Sequence, residues 1–489
     1  MFHKKTIVKL GGDTNMKRNF LLAIAVTALM VTSTIAQAAD VKFGGEFRPR
    51  LNLDQGSTAD TNGSLLWDTR VRLNATANVN ANTEVFMQLQ SVGEWGVDGG
   101  TDLRGTRQSN GGGADQANDT LTDVGFHQAF ITFKNFAGQS FDAKIGRQEI
   151  ILDGHRLFGN TLWTQGAQSH DAIRLTHNGG NHTINYAYIV ANDISATTND
   201  LGDSSSQVHV LHSKTQGVLG GALSGYLTYT RDGQTAGSSS AAASFEDTMN
   251  WFTIGARQAG KMSGLDYRVE YYHQFGDAGT IASASGYGIA GASNDGDSAD
   301  RDANMIGVRV GKTFANKASI TLWYDRLSGV DDDDQNNGDW GAFDTMYDTG
   351  HKYYGYQDMY LARDGAHSNY YGLQDIALKT KMPLSEAITL KADLHHFRTA
   401  TDLTGADADG IIASRADGEG QVNGAMDNDL GTEVDVTLVH KYDANTTVSL
   451  GLSRYLTTQT FSQVNGFGNA GSDANNNANW AYLMVHTKF

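Results

Sequence analysis

The chain of 489 residues contains no cysteine, which removes disulfides and thiolate metal sites from consideration. It has two prolines, Pro49 and Pro383, beside 57 glycines. Helices and linkers are usually punctuated by proline, so this scarcity beside abundant Gly, Asn, Asp, Ser and Thr points to many strands joined by turns. Positive charge is in deficit, with 37 Lys and Arg against 54 Asp and Glu and a formal net charge of -17. Nucleic acid is thereby excluded as a partner, because phosphate binding needs a concentrated basic surface. Beyond residue 39 no run approaches the roughly 20 apolar residues of a membrane-spanning helix.

What is present begins with an export signal. Lys17 and Arg18 precede an apolar run from Phe20 to Met30, and small residues follow to Ala36-Gln37-Ala38. This is the pattern of a Sec signal peptide over 16–39, with cleavage after Ala38 or Ala39. Met16 is a second plausible start, so residues 1–15 read as a start-site extension. The remainder, 40–489, is expected to be secreted or inserted as a β-barrel in the outer membrane of a Gram-negative-type bacterium. The last residues run Trp480-Ala481-Tyr482-Leu483-Met484-Val485-His486-Thr487-Lys488-Phe489. An alternating strand closed by an aromatic is similar to the signal read by the barrel-assembly machinery, so Phe489 is its expected contact.

Period-two alternation recurs along the chain. Val71, Leu73, Ala75 and Ala77 alternate with Arg70, Arg72, Asn74 and Thr76, and Leu265, Tyr267, Val269 and Tyr271 with Asp266, Arg268, Glu270 and Tyr272. A helix does not produce this pattern, whereas a lipid barrel needs it, apolar residues outward and polar ones inward. The connections also alternate in length. Short ones are Asn78 to Thr83, His177 to Asn181, Gly260 to Gly264, Ala315 to Lys317, Pro383 to Glu386 and Asp443 to Asn445; long ones are Gly93 to Leu121, Asp232 to Asp247, Asp277 to Arg301, Ser328 to Asn369, Thr399 to Asp429 and Thr457 to Asn479. The expected fold is all-β, a transmembrane antiparallel barrel of about eighteen strands, sixteen being the other count, with short periplasmic turns and long extracellular loops. A secreted β-sandwich or β-solenoid is the competing architecture, but it needs a larger apolar core than these half-polar strands supply.

Alternation turns Arg48, Arg50, Arg70, Arg72, Lys144, Arg174, Arg257, Arg268, Arg309, Lys379 and Lys391 into the lumen. Gathered at one height, they would form an anion filter. Glu46, Asp68, Glu84, Asp142, Asp266, Glu270, Asp375, Asp393, Glu433 and Asp435 turn inward by the same rule, so salt bridging across the lumen is the alternative use. Arg48, Arg50, Arg70 and Arg72 are the best filter candidates, since only Glu46 and Asp68 oppose them on the first two strands. In the longest connection, Lys352 beside Tyr354 and Tyr356 suits contact with a sugar by stacking and charge, or the tyrosines simply pack the loop on the wall. The run from Asp331 to Asp339 lacks the spacing of the helix-flanked calcium loop, so Asp331, Asp333 and Asp339 are a weak candidate for a hard cation, and a solvated loop is the default. His395 and His396 are strand neighbours pointing to opposite faces and cannot share one ion. No Ser-His-Asp or paired-carboxylate motif stands in a convincing context. The protein is expected to be no enzyme and to need no cofactor.

Several segments together resemble the alginate-export family of outer-membrane proteins: WDTRVRLNATANVNANTEVFMQLQSVGEW at Trp67 to Trp95, then GFHQAFITFKNF, GRQEIILDGHRLFG and DAIRLTH, later FDTMYDTGHKYYGYQDMY at Phe343 to Tyr360, GLQDIALKTKM, LGTEVDVTLVHKYDANTTVSLGLS and ANWAYLMVHTKF. The resemblance implies an eighteen-stranded barrel and a monomeric channel. It implies passive diffusion or export of hydrophilic, anionic solutes, polysaccharide among them, with an arginine-rich constriction attracting the anion. It does not fix the cargo. From a different class comes the alternative of a structural or interaction barrel with a plugged pore, used in adhesion or as a sheath for a periplasmic redox partner. For the channel, the expected partners are outer-membrane lipid and the small hydrophilic or polysaccharide solute.

Overall fold

The computed structural model describes residues 40–55, 64–95, 124–192, 206–233, 248–279, 299–331, 333–334, 339–361, 370–404, 427–464 and 477–489. The expected signal peptide at 16–39 and the extension at 1–15 lie outside the described residues, as do most residues of the long connections at 93–121, 232–247, 277–301, 399–429 and 457–479.

Nineteen strands are described: β1 (Asp40–Gln55), β2 (Ser64–Asn80), β3 (Thr83–Glu94), β4 (Gly125–Phe133), β5 (Phe141–Gln148), β6 (His170–Gly179), β7 (His182–Asn192), β8 (Ser206–Val218), β9 (Gly221–Asp232), β10 (Met249–Met262), β11 (Leu265–Asp277), β12 (Asp300–Thr313), β13 (Ser319–Leu327), β14 (Asp339–Trp340), β15 (Leu373–Pro383), β16 (Ile388–Arg398), β17 (Asp429–Lys441), β18 (Thr446–Thr457) and β19 (Ala478–Lys488). β14 is a two-residue piece in a loop, pairing parallel with β12. The other eighteen pair antiparallel in chain order, β13 bonding directly to β15, and β1 pairs with both β2 and β19. The sheet is closed and has no free edge, the only way strands can cross a bilayer without stranding backbone donors and acceptors in hydrocarbon.

The alternation becomes two surfaces. On β11, Leu265, Val269 and Tyr271 are 42–49% exposed, whereas inward Glu270 and Tyr272 are 1% and 0% exposed. The outward residues meet lipid. Leu322, at the middle of β13, is 56% exposed on that face. Leu322→Arg is therefore expected to cost about 2–4 kcal/mol of folding free energy in vesicles, read by denaturant titration. Hairpins close on the periplasmic side. Between β10 and β11 there are only Ser263 and Gly264, at φ 52° and 78°, the two left-handed residues of the turn whose twist matches its strands. Nothing crowds Gly264; it is conformation that calls for glycine there.

Burial of the inward residues means that the lumen is filled. Two connections fold into it: the inner loop at 149–169, between β5 and β6, and, in its described residues 339–361, the long loop between β13 and β15. They pair with each other, Gly159 N donating to Tyr347 O (2.8 Å), Tyr347 N to Leu157 O (2.9 Å) and Thr349 N to His155 O (3.0 Å). Leu157, Phe158, Met346, Tyr353, Tyr354 and Tyr360 belong to one apolar cluster with the inward faces of the strands. The barrel's core is thus loop packed inside wall. The inner loop is missing from the long connections expected from sequence, because its Ile150, Ile151, Leu152, Leu157 and Phe158 give it the apolar content of a strand.

Candidate functional site in the barrel lumen

Irregular backbone inside a barrel must find partners for its carbonyls. For the inner loop these are the arginines of β1 and β2. Arg48 donates to Leu162 O (2.5 Å), Trp163 O (3.1 Å), Thr164 O (2.8 Å) and Gln165 Oε1 (2.7 Å). Arg70 donates to Thr164 O (3.1 Å) and Gln165 O (3.3 Å) and pairs with Glu46 at 2.7 Å. Arg50 bonds Trp163 O and Asp68, each at 3.0 Å. Arg72 bonds Gln90 (2.7 Å) and lies 3.5 Å from Glu46 and 3.8 Å from Glu149. All four stand together as the alternation predicts. They are buried, and their donors hold the loop across the lumen.

A second anchor is Arg156, carried inward by the inner loop. It bonds Asp325 of β13 (2.7 Å) and the Tyr354 hydroxyl (2.7 Å), lies 3.4 Å from Glu270 of β11 and sits 3.7 Å from the ring centre of Tyr353. Asp153 beside it accepts from Tyr226 (2.6 Å) and lies 2.9 Å from Lys214 and 3.1 Å from His212. Burial pushes the Asp153 carboxyl up, but the bonds from His212 and Tyr226 and the Lys214 ammonium outweigh it and hold it well below the usual range. The long loop has its own anchor: Glu433 accepts from Tyr356 N (2.5 Å), Gln357 N (2.9 Å) and Ser453 (3.1 Å). Gly355, at φ +86°, passes so close that a Cβ would lie 2.5 Å from the Glu433 carboxylate.

Beneath the two loops, among the periplasmic halves of β15 to β19, lies a cavity of about 490 Å³. Lys352, Lys379, Lys391 and His155 line it with Asp393 as their acid counterpart, and Trp163, Tyr356 and Tyr482 contribute rings. Lys379 is bonded to Asp393 at 3.2 Å. Lys352 donates to Gly154 O (3.2 Å); burial, then the nearby Arg268, Arg156 and Arg257, lower its ammonium to about 8.

The inward cations do not form one ring. Arg257 and Arg268 lie 3.7 Å from Glu270, and Arg309 bonds Asp325 (3.4 Å) while resting 3.2 Å over Trp323. Lys144 sits 4.1 Å from the ring centre of Phe130, and Arg174 donates to Asn185 (2.7 Å). Lys379 and Lys391 reach the cavity. Of the loop residues singled out by sequence, Lys352 and Tyr356 line the cavity, while Tyr354 is fully buried against Arg156. In the acidic run, Asp331 and Asp334 accept each other's amide N–H at 3.0 Å, and burial with the neighbouring Asp331 and Asp339 pushes Asp334 up to about 7. Asp339 opens β14, Asp333 lies with Asp334 in a helical stretch, and positions 332 and 335–338 are outside the described residues. No group of three or more potential ligands able to hold a metal occurs among the described residues.

Sequence does not single out Asp153, Arg156, Trp163 or Gln165. The available signal is the interval from Gln148 to His170, too long for a turn and without alternation.

The alginate-export family model matches residues 34–466. No curated protein matches the chain by sequence. Among solved structures, OccAB4 of Acinetobacter baumannii is 9% identical with a TM-score of 0.52, covering 93% of this chain and 100% of that one. OccK11 (OpdR) of Pseudomonas aeruginosa is 10% identical with a TM-score of 0.50, covering 92% and 97%. At such identities the likeness is one of fold, an outer-membrane barrel. With a closed eighteen-stranded sheet, a loop-narrowed lumen and a family match over most of its length, the chain belongs to the alginate-export family of outer-membrane porin-type barrels.

Proposed function

We propose that the protein is a channel for passive diffusion of hydrophilic anions across the outer membrane, narrowed by its two inward loops and involving no chemical step. The observation that carries this is the cavity's charge: three lysines against one aspartate, with Lys352 and Lys391 in no ion pair with a described residue. In a confined space of lowered dielectric such an excess raises the local concentration of anions. Reversal potentials in planar bilayers under a potassium chloride gradient test it; anion preference is expected, and cation preference overturns it. The loops' many anchors favour a second reading, a plugged barrel serving as scaffold, and a conductance too small to resolve would establish that one instead. Polysaccharide passage requires the loops to move aside, since they bond to each other across the lumen.

Lys352 gives the channel a pH dependence. Its ammonium is charged below about 8 and neutral above, so anion preference is expected to fall between pH 7 and 9 and to stay level over that window in Lys352→Met. Loss of folding does not explain such a fall. A lysine lowered from 10.5 to about 8 on folding makes the folded state more stable, not less, as pH rises through that interval.

A further inference from the structure

The cavity lining is mixed. Lys352 and Lys391 bring ammoniums, while Leu162 of the inner loop, Val439 of β17 and Met484 of β19 bring apolar side chains. Lys391 and Val439 stand on neighbouring strands, and Ser449 pairs with both Val439 and Met484. Inward positions of an outer-membrane barrel are ordinarily polar, yet Val439 and Met484 point inward and are only partly covered, and Leu162 is 41% exposed. Apolar surface left open inside a water-filled space is unfavourable unless a ligand covers it.

We propose that this cavity binds amphipathic organic acids, one carboxylate on a compact apolar body such as a benzene ring, the carboxylate at Lys352 and Lys391 and the body against Leu162, Val439 and Met484. This rests on the anion-channel reading and narrows it. A sugar acid fits worse for two reasons. Its ring would want an open aromatic face, but Trp163 carries His351 stacked at 4.2 Å and the Arg50 guanidinium 4.7 Å from its ring centre, Tyr356 carries His351 at 4.9 Å, and Tyr482 packs against Trp163 at 4.9 Å and Trp480 at 4.8 Å. Its hydroxyls could reach Thr437 and Ser449, but those set against Leu162, Val439 and Met484 would go unpaired, and unpaired polar groups are penalised. The nearest carboxylate, Asp393, is engaged by Lys379. A volume of about 490 Å³ holds one such acid with water.

The test uses current block in planar bilayers holding the protein in potassium chloride. Benzoate added on the side of the short turns is expected to interrupt the chloride current at a concentration at least about tenfold below that needed for glucuronate. Leu162→Asn and Val439→Asn are each expected to bring the two acids within about twofold of one another. Equal potency of the two acids in the unaltered channel overturns the inference while leaving anion conduction standing. A benzoate preference that survives both substitutions overturns it as well, since the apolar side chains would not be what selects. Potassium preferred over chloride sinks the anion-channel reading and this inference together.

Discussion

Arg156→Ala is expected to widen the channel, raising single-channel conductance about two- to threefold and making the current flicker. Its guanidinium reaches Asp325, Glu270 and two tyrosines from a loop whose other end is tied to Arg48 and Arg70, so it joins loop to wall at the middle of the lumen. Taking one partner from a buried ion pair costs about 3–5 kcal/mol, because a buried charge is left behind. Here Arg309 at 3.4 Å from Asp325, and Arg257 and Arg268 at 3.7 Å from Glu270, remain to absorb part of that. A residual of about 2 kcal/mol would still raise the population with the loop displaced roughly thirtyfold. The companion variant Arg156→Ala/Asp325→Ala is expected to lose less than the sum of the single changes, which a double-mutant cycle on thermal stability reads. Conductance of Arg156→Ala equal to that of the unaltered protein would show that the loop does not depend on this anchor.

Lys352→Glu combined with Lys391→Glu is expected to convert the channel from anion- to cation-selective. Three lysines less one aspartate leave the cavity two positive charges, and each inversion subtracts two, so the pair leaves two negative. A unit charge about 6 Å from a permeating ion is worth about 0.7 kcal/mol even at the dielectric of bulk water. Four units change each ion's energy by about 2–3 kcal/mol before screening, in opposite senses for anion and cation, so the permeability ratio is expected to shift at least about fiftyfold at low salt and less near 1 M, where screening acts within about 3 Å. Reversal potentials at two ionic strengths measure both numbers. A selectivity that does not move would place the determining charges elsewhere, and the arginines at the inner loop would be the next to invert.

Those arginines show how far sequence reasoning reaches. Period two in β1 and β2 is enough to turn Arg48, Arg50, Arg70 and Arg72 inward side by side, because side-chain direction in a strand is set by parity alone. Parity says nothing about what meets them. Arg48, Arg50 and Arg70 meet backbone carbonyls at 162–165, more than 90 residues away along the chain, and a carbonyl carries no residue-specific signature. Glu433 is similar: its inward direction is legible, while its bonds to Tyr356 N and Gln357 N are to groups that every non-proline residue owns.

The barrel class, an approximate strand count, most of the short and long connections and the two faces of the wall were legible in this sequence, since each follows from alternation, turn residues and the need to satisfy backbone in lipid. The filled lumen was decided only by tertiary structure. Whether a connection runs out into water or folds back depends on buried charges meeting across the barrel, Arg156 with Asp325 and Asp153 with Lys214. Coulomb and hydrogen-bond energies between such pairs depend on distance in space, which neither spacing nor composition encodes.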